Sequence, residues 1–234
     1  MSTTLGTRIK KTASKTALAA MVGAAALAGS IGLASTASAE MYGDPDAAAE
    51  YWLPQHYDDC GLMAVADVVG QLSGQMVSEQ KIINVAEKTP SQNHAGSIYI
   101  KPADVTDPNS GLGSDPRDIA VLLKQFGITA VITDEKLAAE PDGTPTGMKA
   151  LADYLSEGHK VIVGVNAETI WDVTGDRTHA DHAVVVTGID TTERVVHLND
   201  SGIKDGRDEQ VSIETFAAAW ATGDNTMIVT VETS

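Results

Sequence analysis

The hydrophobic pattern of this chain changes its period once, and that change limits the folds open to it. Apolar residues first recur at helical spacing: Leu62, Val65, Val68, Val69 and Leu72, then Ile82, Val85 and Ala86, then Ile119, Leu122, Leu123 and Phe126. Ser78 is placed to cap the second of these helices, which runs through Glu87, and Ser114-Asp115-Pro116 opens the third, which ends at Gly127. A short strand over 128–133 follows, then a helix capped by Thr146 that runs through Leu155 and closes at Gly158. From there the pattern turns to strands. Segments 160–166, 182–190, 194–200, 209–213 and 226–232 alternate or run apolar, with Gly, Asn and Asp between them. One short helix over 214–221, burying Phe216 and Trp220, interrupts the series. Helices first and an antiparallel sheet afterwards predict an α+β fold, with N-terminal helices packed on a C-terminal antiparallel sheet. Residues 89–113 hold Pro, Asn, Gly and Asp with little periodicity and read as a long surface loop.

The N-terminus sets the expected compartment. Residues 1–15 carry Arg8, Lys10, Lys11 and Lys15 and no acid, residues 17–34 are almost wholly apolar, and Ala37-Ser38-Ala39 supplies small residues. That order predicts a secretory signal peptide cut after Ala39. Eighteen apolar residues also just reach the length of a membrane anchor, but Ala and Gly are weakly hydrophobic and the small-residue site follows directly. No Arg-Arg pair points to twin-arginine export, and no cysteine near the cut could carry a lipid. The expected product is secreted, with residues 40–51 a loose leader and 52–234 one domain, long enough for a proper core. Loss of four cations leaves 12 Lys and Arg against 32 Asp and Glu, a formal charge of −20. Such a chain is repelled by nucleic acid and by anionic lipid, so neither is expected as a partner. Basic or neutral substrates are compatible with it.

Cys60 is the only cysteine. Exported proteins usually hold cysteines in pairs, so an unpaired one suggests a reactive thiol or a link between molecules. It sits in Gln55-His56-Tyr57-Asp58-Asp59-Cys60-Gly61, just before the first helical pattern. A helix N-terminus stabilises an anionic sulfur, whereas the adjacent Asp58 and Asp59 oppose it, so activation has to rest on a histidine. Six are available. His56 is too near in sequence, and His94 lies in the loop. His197 reads as a strand residue that solvent could reach. His182 opens the most apolar strand, His182-Ala183-Val184-Val185-Val186-Thr187-Gly188-Ile189, and a tight hairpin around 191–192 sets position 182 opposite about 201, beside Asp200. A carboxylate there could hold one imidazole nitrogen while the other faces sulfur. Gln55, a few residues before the thiol, could join the Cys60 N–H in an oxyanion hole.

Gln…Asp-Cys-Gly, then His-Ala-Val-Val-Val-Thr-Gly-Ile-Asp, then Asn-Asp after the next strand resembles the papain-like cysteine peptidases of the bacteriocin-leader-processing group, and in particular their standalone secreted relatives. The helix over 214–220 matches one those proteins carry after the catalytic aspartate. The resemblance spans about 50–233. It implies Cys60 as nucleophile, His182 as general base and acid, Asp200 as its orienter and Gln55 in the oxyanion hole, acting on a peptide or protein substrate without cofactor. Two departures stand out: the glutamine lies five residues before the cysteine where the group commonly has six, and the transporter linked to the leader-processing enzymes is absent. A cell-wall hydrolase of NlpC-like type is a competing reading, but there a serine commonly follows the cysteine and the histidine comes much sooner. A non-catalytic binding module on the same fold is the other. Asp104, Asp107, Asn109 and Asp115 fall in one loop and raise calcium, yet the glycine and terminal glutamate of a calcium loop are missing. No cysteine and histidine spacing suggests zinc, and no metal site is expected. Trp171 and His179 stand in the loop before His182, where they could wall a cleft.

Overall fold

The computed structural model describes residues 40–104 and 111–234. The expected signal peptide, and Asp107 and Asn109 of the loop considered for calcium, lie outside the described residues. Seven antiparallel strands form one sheet: β1 (Met41–Gly43), β2 (Ala130–Thr133), β3 (His159–Val165), β4 (His182–Asp190), β5 (Val195–Asn199), β6 (Glu209–Ser212) and β7 (Met227–Thr233). The order is β2-β7-β3-β4-β5-β6, with β1 paired to the far end of β4. β3 and β4 are central and apolar on consecutive positions because both of their faces are covered.

The coverage comes from two groups of helices. Helices α2 (Cys60–Ser73), α3 (Glu79–Ala86) and α4 (Pro116–Gln125) pack on the face that presents Ile162, Val185 and Ile228. Helices α6 (Met148–Ser156), α7 (Ala167–Ile170) and α8 (Ile213–Ala221) pack on the opposite face, against Val161, Val163, Val184 and Val186. Two short helices, α1 (Pro45–Ala48) and α5 (Glu135–Ala138), complete the set. α2 is the hub, since every residue from Gly61 to Gly70 is buried. Leu62, Val65 and Val68 are wholly inaccessible, and burying each contributes about 1.5–3 kcal/mol. Its only exposed end is the C-terminus, where Gly74 adopts φ 70° and stops it. The fold is therefore α+β, with helices on both faces of the sheet rather than on one.

Four local expectations are corrected. Residues 40–51 are not loose: Met41, Tyr42 and Gly43 pair with Asp190, Ile189 and Gly188, and a Cβ on Gly43 would meet Thr187 O at 2.3 Å. The strand is short enough to leave no period-2 signal. Thr146 does not cap α6; Gly147 does, at φ 90°, while the Thr146 hydroxyl donates to Asn225 O at 2.6 Å. The 89–113 segment is not all surface, because Ile98 and Tyr99 enter the core and Pro90 bridges Ser97. Finally, the strand expected over 128–133 is shorter, Ala130–Thr133, and pairs with β7.

Candidate active site

Cys60 is the first residue of α2, with Asp59 as N-cap. The cap is unusual: Asp59 makes no side-chain capping bond, is fully buried, and neither carboxyl oxygen has a partner. Burial first, and the charges of Glu79 and Asp58 next, push its pKa up to about 8. A neutral carboxyl therefore precedes the thiol at pH 7, which removes the part of the electrostatic objection that came from Asp59. Gly61 follows in a tight place. A Cβ there would stand 2.5 Å from Ser114 Oγ and 2.8 Å from Ile119 Cδ1, so the serine of the NlpC-like pattern would force both side chains to shift.

His182 is the first residue of β4 and pairs with Val165 at the mouth of the sheet. Its side chain is buried at 7% exposure. Its Nε2 meets Asp200 Oδ1 at 2.7 Å, which leaves Nδ1 as the nitrogen for the Cys60 thiol, with which the ring interacts. Burial alone would depress the His182 pKa. The Asp200 charge, the Asp200 hydrogen bond and the thiol outweigh it, and the pKa is raised well above its ordinary value. Asp200 has 0% exposure, and burial works against its charge. His182, the Trp171 indole and the Gly202 N–H nonetheless hold it below the usual carboxylate range. The donors are well placed: Trp171 Nε1 to Oδ2 at 2.8 Å and Gly202 N to Oδ1 at 2.7 Å.

The hairpin that brings His182 and Asp200 together differs from the simple one. Its turn occupies 191–194, Asp190 pairs with Val195, and a bulge falls between Val186 and Gly188. Val185 lies opposite Asn199, so Asp200 sits past the end of β5 rather than in the ladder. Its backbone is fixed instead by Asp200 N donating to Gly206 O and by Trp52 Nε1 donating to Asp200 O at 2.6 Å. Trp171 is the residue that sequence reasoning undervalued. Its ring lies 5.0 Å from that of His182, in addition to the Asp200 bond. A Cβ on Gly202 would come within 2.9 Å of both rings, so the chain must pass here without a side chain.

Cys60 and His182 open into a cavity of about 370 Å³. Ile119, Ile162 and Ile228 give it an apolar floor, and Gly164 and Gly223 line it with backbone. His179 and Asp181 stand on its rim, whereas Trp171 backs His182 without lining the cavity. Gln55 does not line it either. Its Nε2 donates to Tyr57 O at 2.9 Å, and its Oε1 accepts from Ser201 Oγ at 2.8 Å, tying the segment before Cys60 to the residue after Asp200. The remaining histidines have other partners. His56 bonds Glu79 at the surface, His94 faces Asp118, and His159 packs on Tyr154. His197 is buried and bonds Asp208 at 2.7 Å, so it is not the solvent-facing strand residue expected. Asp115 caps α4 and pairs with Arg117. Among the described residues no cluster of three or more His, Cys, Asp or Glu could hold a metal, and no helix is long and apolar enough to cross a membrane.

Residues 76–227 match the Peptidase_C39 like family. The chain belongs to this family. The match includes His182 and Asp200 and begins after Cys60. Uncharacterized proteins of Mycobacterium tuberculosis and Mycobacterium bovis are each 53% identical to it over 225 residues, covering 94% of this chain and 97% of theirs. A crystal structure from Bacillus anthracis, assigned as a C39-like peptidase, has the same fold, with a TM-score of 0.52, 19% identity, and coverage of 83% of this chain and 99% of that one. Family and fold agree: the chain belongs to the C39-like family, and the Bacillus anthracis structure shares its fold.

Proposed function

We propose that the protein is a secreted cysteine peptidase that cleaves a peptide or amide bond through Cys60, His182 and Asp200. The observation that carries this reading is the buried His182 Nε2–Asp200 Oδ1 contact of 2.7 Å, in a cavity shared with a thiol at a helix N-terminus. A raised His182 pKa keeps the ring protonated through neutrality, the state that pairs with a thiolate. Sulfur adds to the carbonyl carbon of the substrate. The Cys60 N–H, one of the free donors of the first turn, stabilises the oxyanion, and Gln55, held outside the cavity by Tyr57 O and Ser201 Oγ, fixes the segment that leads to it. His182 gives its Nδ1 proton to the departing amine, which leaves an acyl-thioester on Cys60 and neutral imidazole. His182 then takes a proton from water as the water attacks the thioester, and the acid leaves with Cys60 restored beside imidazolium. Asp200 keeps its charge throughout and holds the ring. Neutral or basic peptides suit the acidic surface, and residues 1–39 direct the chain out of the cytoplasm.

The test is the iodoacetamide labelling rate of the single thiol between pH 5.5 and 9, for the wild type and for His182→Ala. Rapid labelling at pH 6 that falls about tenfold or more in His182→Ala supports the pair. Slow labelling at pH 6, unchanged by the substitution, refutes it and favours a binding module on the same fold.

A further inference from the structure

Asp200 receives three donors, yet a second carboxyl stands against it that the peptidase mechanism does not use. Register places it there. Glu209 opens β6 directly opposite Leu198 of β5. Side chains alternate along a strand, so Val196 and Leu198 share one face of β5, and Glu209 and Val211 share the same face of the neighbouring strand. Val196, Leu198 and Val211 all enter the core beneath α8, which fixes that face. Asp200 follows two residues after Leu198, just beyond the ladder, where the Glu209 carboxyl reaches its side chain. Its Oε2 is inaccessible and has no donor. An ionised carboxylate in that place would leave a buried charge unpaired beside another of the same sign.

We propose that Glu209 is a fourth member of the relay, a positioning residue whose protonated carboxyl donates to Asp200 and holds it in line with His182. The inference rests on the peptidase reading above. Asp200 Oδ2 accepts only the Trp171 indole N–H, so a lone pair remains on it for the Glu209 O–H. Burial first, then the charge and hydrogen bond of Asp200, raise the Glu209 pKa to about 7, while His182 pulls it down. Among the described residues the other nearby charges are exposed or engaged elsewhere, Lys204 and Asp205 of the 200–208 turn being exposed. On β5, His197 is engaged with Asp208, and Gln210 of β6 bonds the other oxygen of Asp208. In the 200–208 turn, the Arg207 guanidinium lies over the Trp52 ring. On α7 and α8, Glu168 is bonded by Asn166 and Glu214 by Arg194. Ionisation of Glu209 withdraws the donor and sets two negative charges side by side, so the relay loosens as pH rises through neutrality.

The experiment compares wild type, Glu209→Gln and Glu209→Ala by two readouts. The first is the pH titration of the His182 ring nitrogens by NMR, which needs no substrate. The second is the pH profile of kcat/KM on a fluorogenic peptide pool. The wild type is expected to show an inflection near pH 7 in both. Glutamine keeps a donor and cannot ionise, so Glu209→Gln should lose the inflection while staying within about twofold of wild type at pH 6. Glu209→Ala should fall about tenfold at pH 6 with the same fold intact by circular dichroism. An inflection that survives in Glu209→Gln, or an alanine variant as active as wild type, overturns the inference. Iodoacetamide labelling of His182→Ala separates the two failures: slowed labelling with an unmoved Glu209 profile refutes only the role of Glu209, whereas unchanged labelling refutes the peptidase reading itself.

Discussion

Replacing Asp59 by Asn should stabilise the protein, and by an amount that grows with pH. Asp59 is fully buried and neither of its carboxyl oxygens has a partner. In the unfolded chain it ionises near pH 3.8, and in the fold near 8. An acid whose pKa rises on folding contributes no penalty below its unfolded value. Between the two values the unfolded state sheds a proton that the folded state keeps, and stability falls by about 1.4 kcal/mol per pH unit. At pH 7 the accumulated loss reaches about 4 kcal/mol, an upper bound because local relaxation admits water. Asparagine has the same shape, caps helices equally well and cannot ionise. The difference between the two proteins should then be near zero at pH 4, climb through pH 7, and level off above pH 8. Urea unfolding followed by tryptophan fluorescence at four or five pH values measures it, and every other titrating group cancels in the difference. A pH-independent offset would refute the reasoning, for it would mean that Asp59 is already ionised and solvated in the fold.

Other substitutions probe the site more directly. Trp171→Phe keeps a ring over His182 but removes the donor to Asp200, so kcat should drop about tenfold with little change in melting temperature. Gly61→Ser forces its Cβ to 2.5 Å from Ser114 Oγ and should cost about 1–3 kcal/mol in urea unfolding, where Ser114→Gly in the same chain should recover part of the loss. Leu62→Ala empties a fully buried position beneath the nucleophile and should destabilise by about 2–5 kcal/mol. Gln55→Ala removes the bonds to Tyr57 O and Ser201 Oγ and, by loosening the segment before Cys60, should lower kcat by about tenfold with KM little changed, measured by steady-state kinetics.

The sequence showed those elements whose apolar pattern is long enough to carry a period. β4 begins at His182 and ends at Asp190 as read, α2 begins at Cys60, and α8 differs by one residue. What escaped was set by contacts between distant residues. Met41–Gly43 is too short to alternate, and it becomes a strand only because β4 offers an unpaired edge beyond the end of β3. The hairpin register depended on a turn two residues longer than assumed and on the bulge after Val186, neither of which a count of residues reveals. His182 and Asp200 were found anyway, because both stand where strands end and a small slip leaves them neighbours. The role of Trp171 was not found, since its partner Asp200 lies 29 positions away. A buried indole needs a hydrogen-bond acceptor, but nothing local says which one.

The same contrast explains how one imidazole is served by a single charged carboxylate, Asp200, while Asp59 and Glu209 beside the site stay protonated. Asp200 stays ionised because it collects His182, the Trp171 indole and the Gly202 N–H. Asp59 collects no donor at all, so burial drives its proton on. Glu209 is buried beside a charge that is already stabilised and takes the proton that Asp200 refuses. Environments that separate the pKa values of like groups assign their roles, and here donor count decides the assignment. The chain is strongly acidic, yet its catalytic end is kept from accumulating charge by burying Asp59 without a partner and Glu209 beside a carboxylate that is already charged. That arrangement holds only while both remain protonated, so the alkaline side of neutrality, where Glu209 near 7 and Asp59 near 8 ionise in turn, is where stability and the His182–Asp200 geometry fail together.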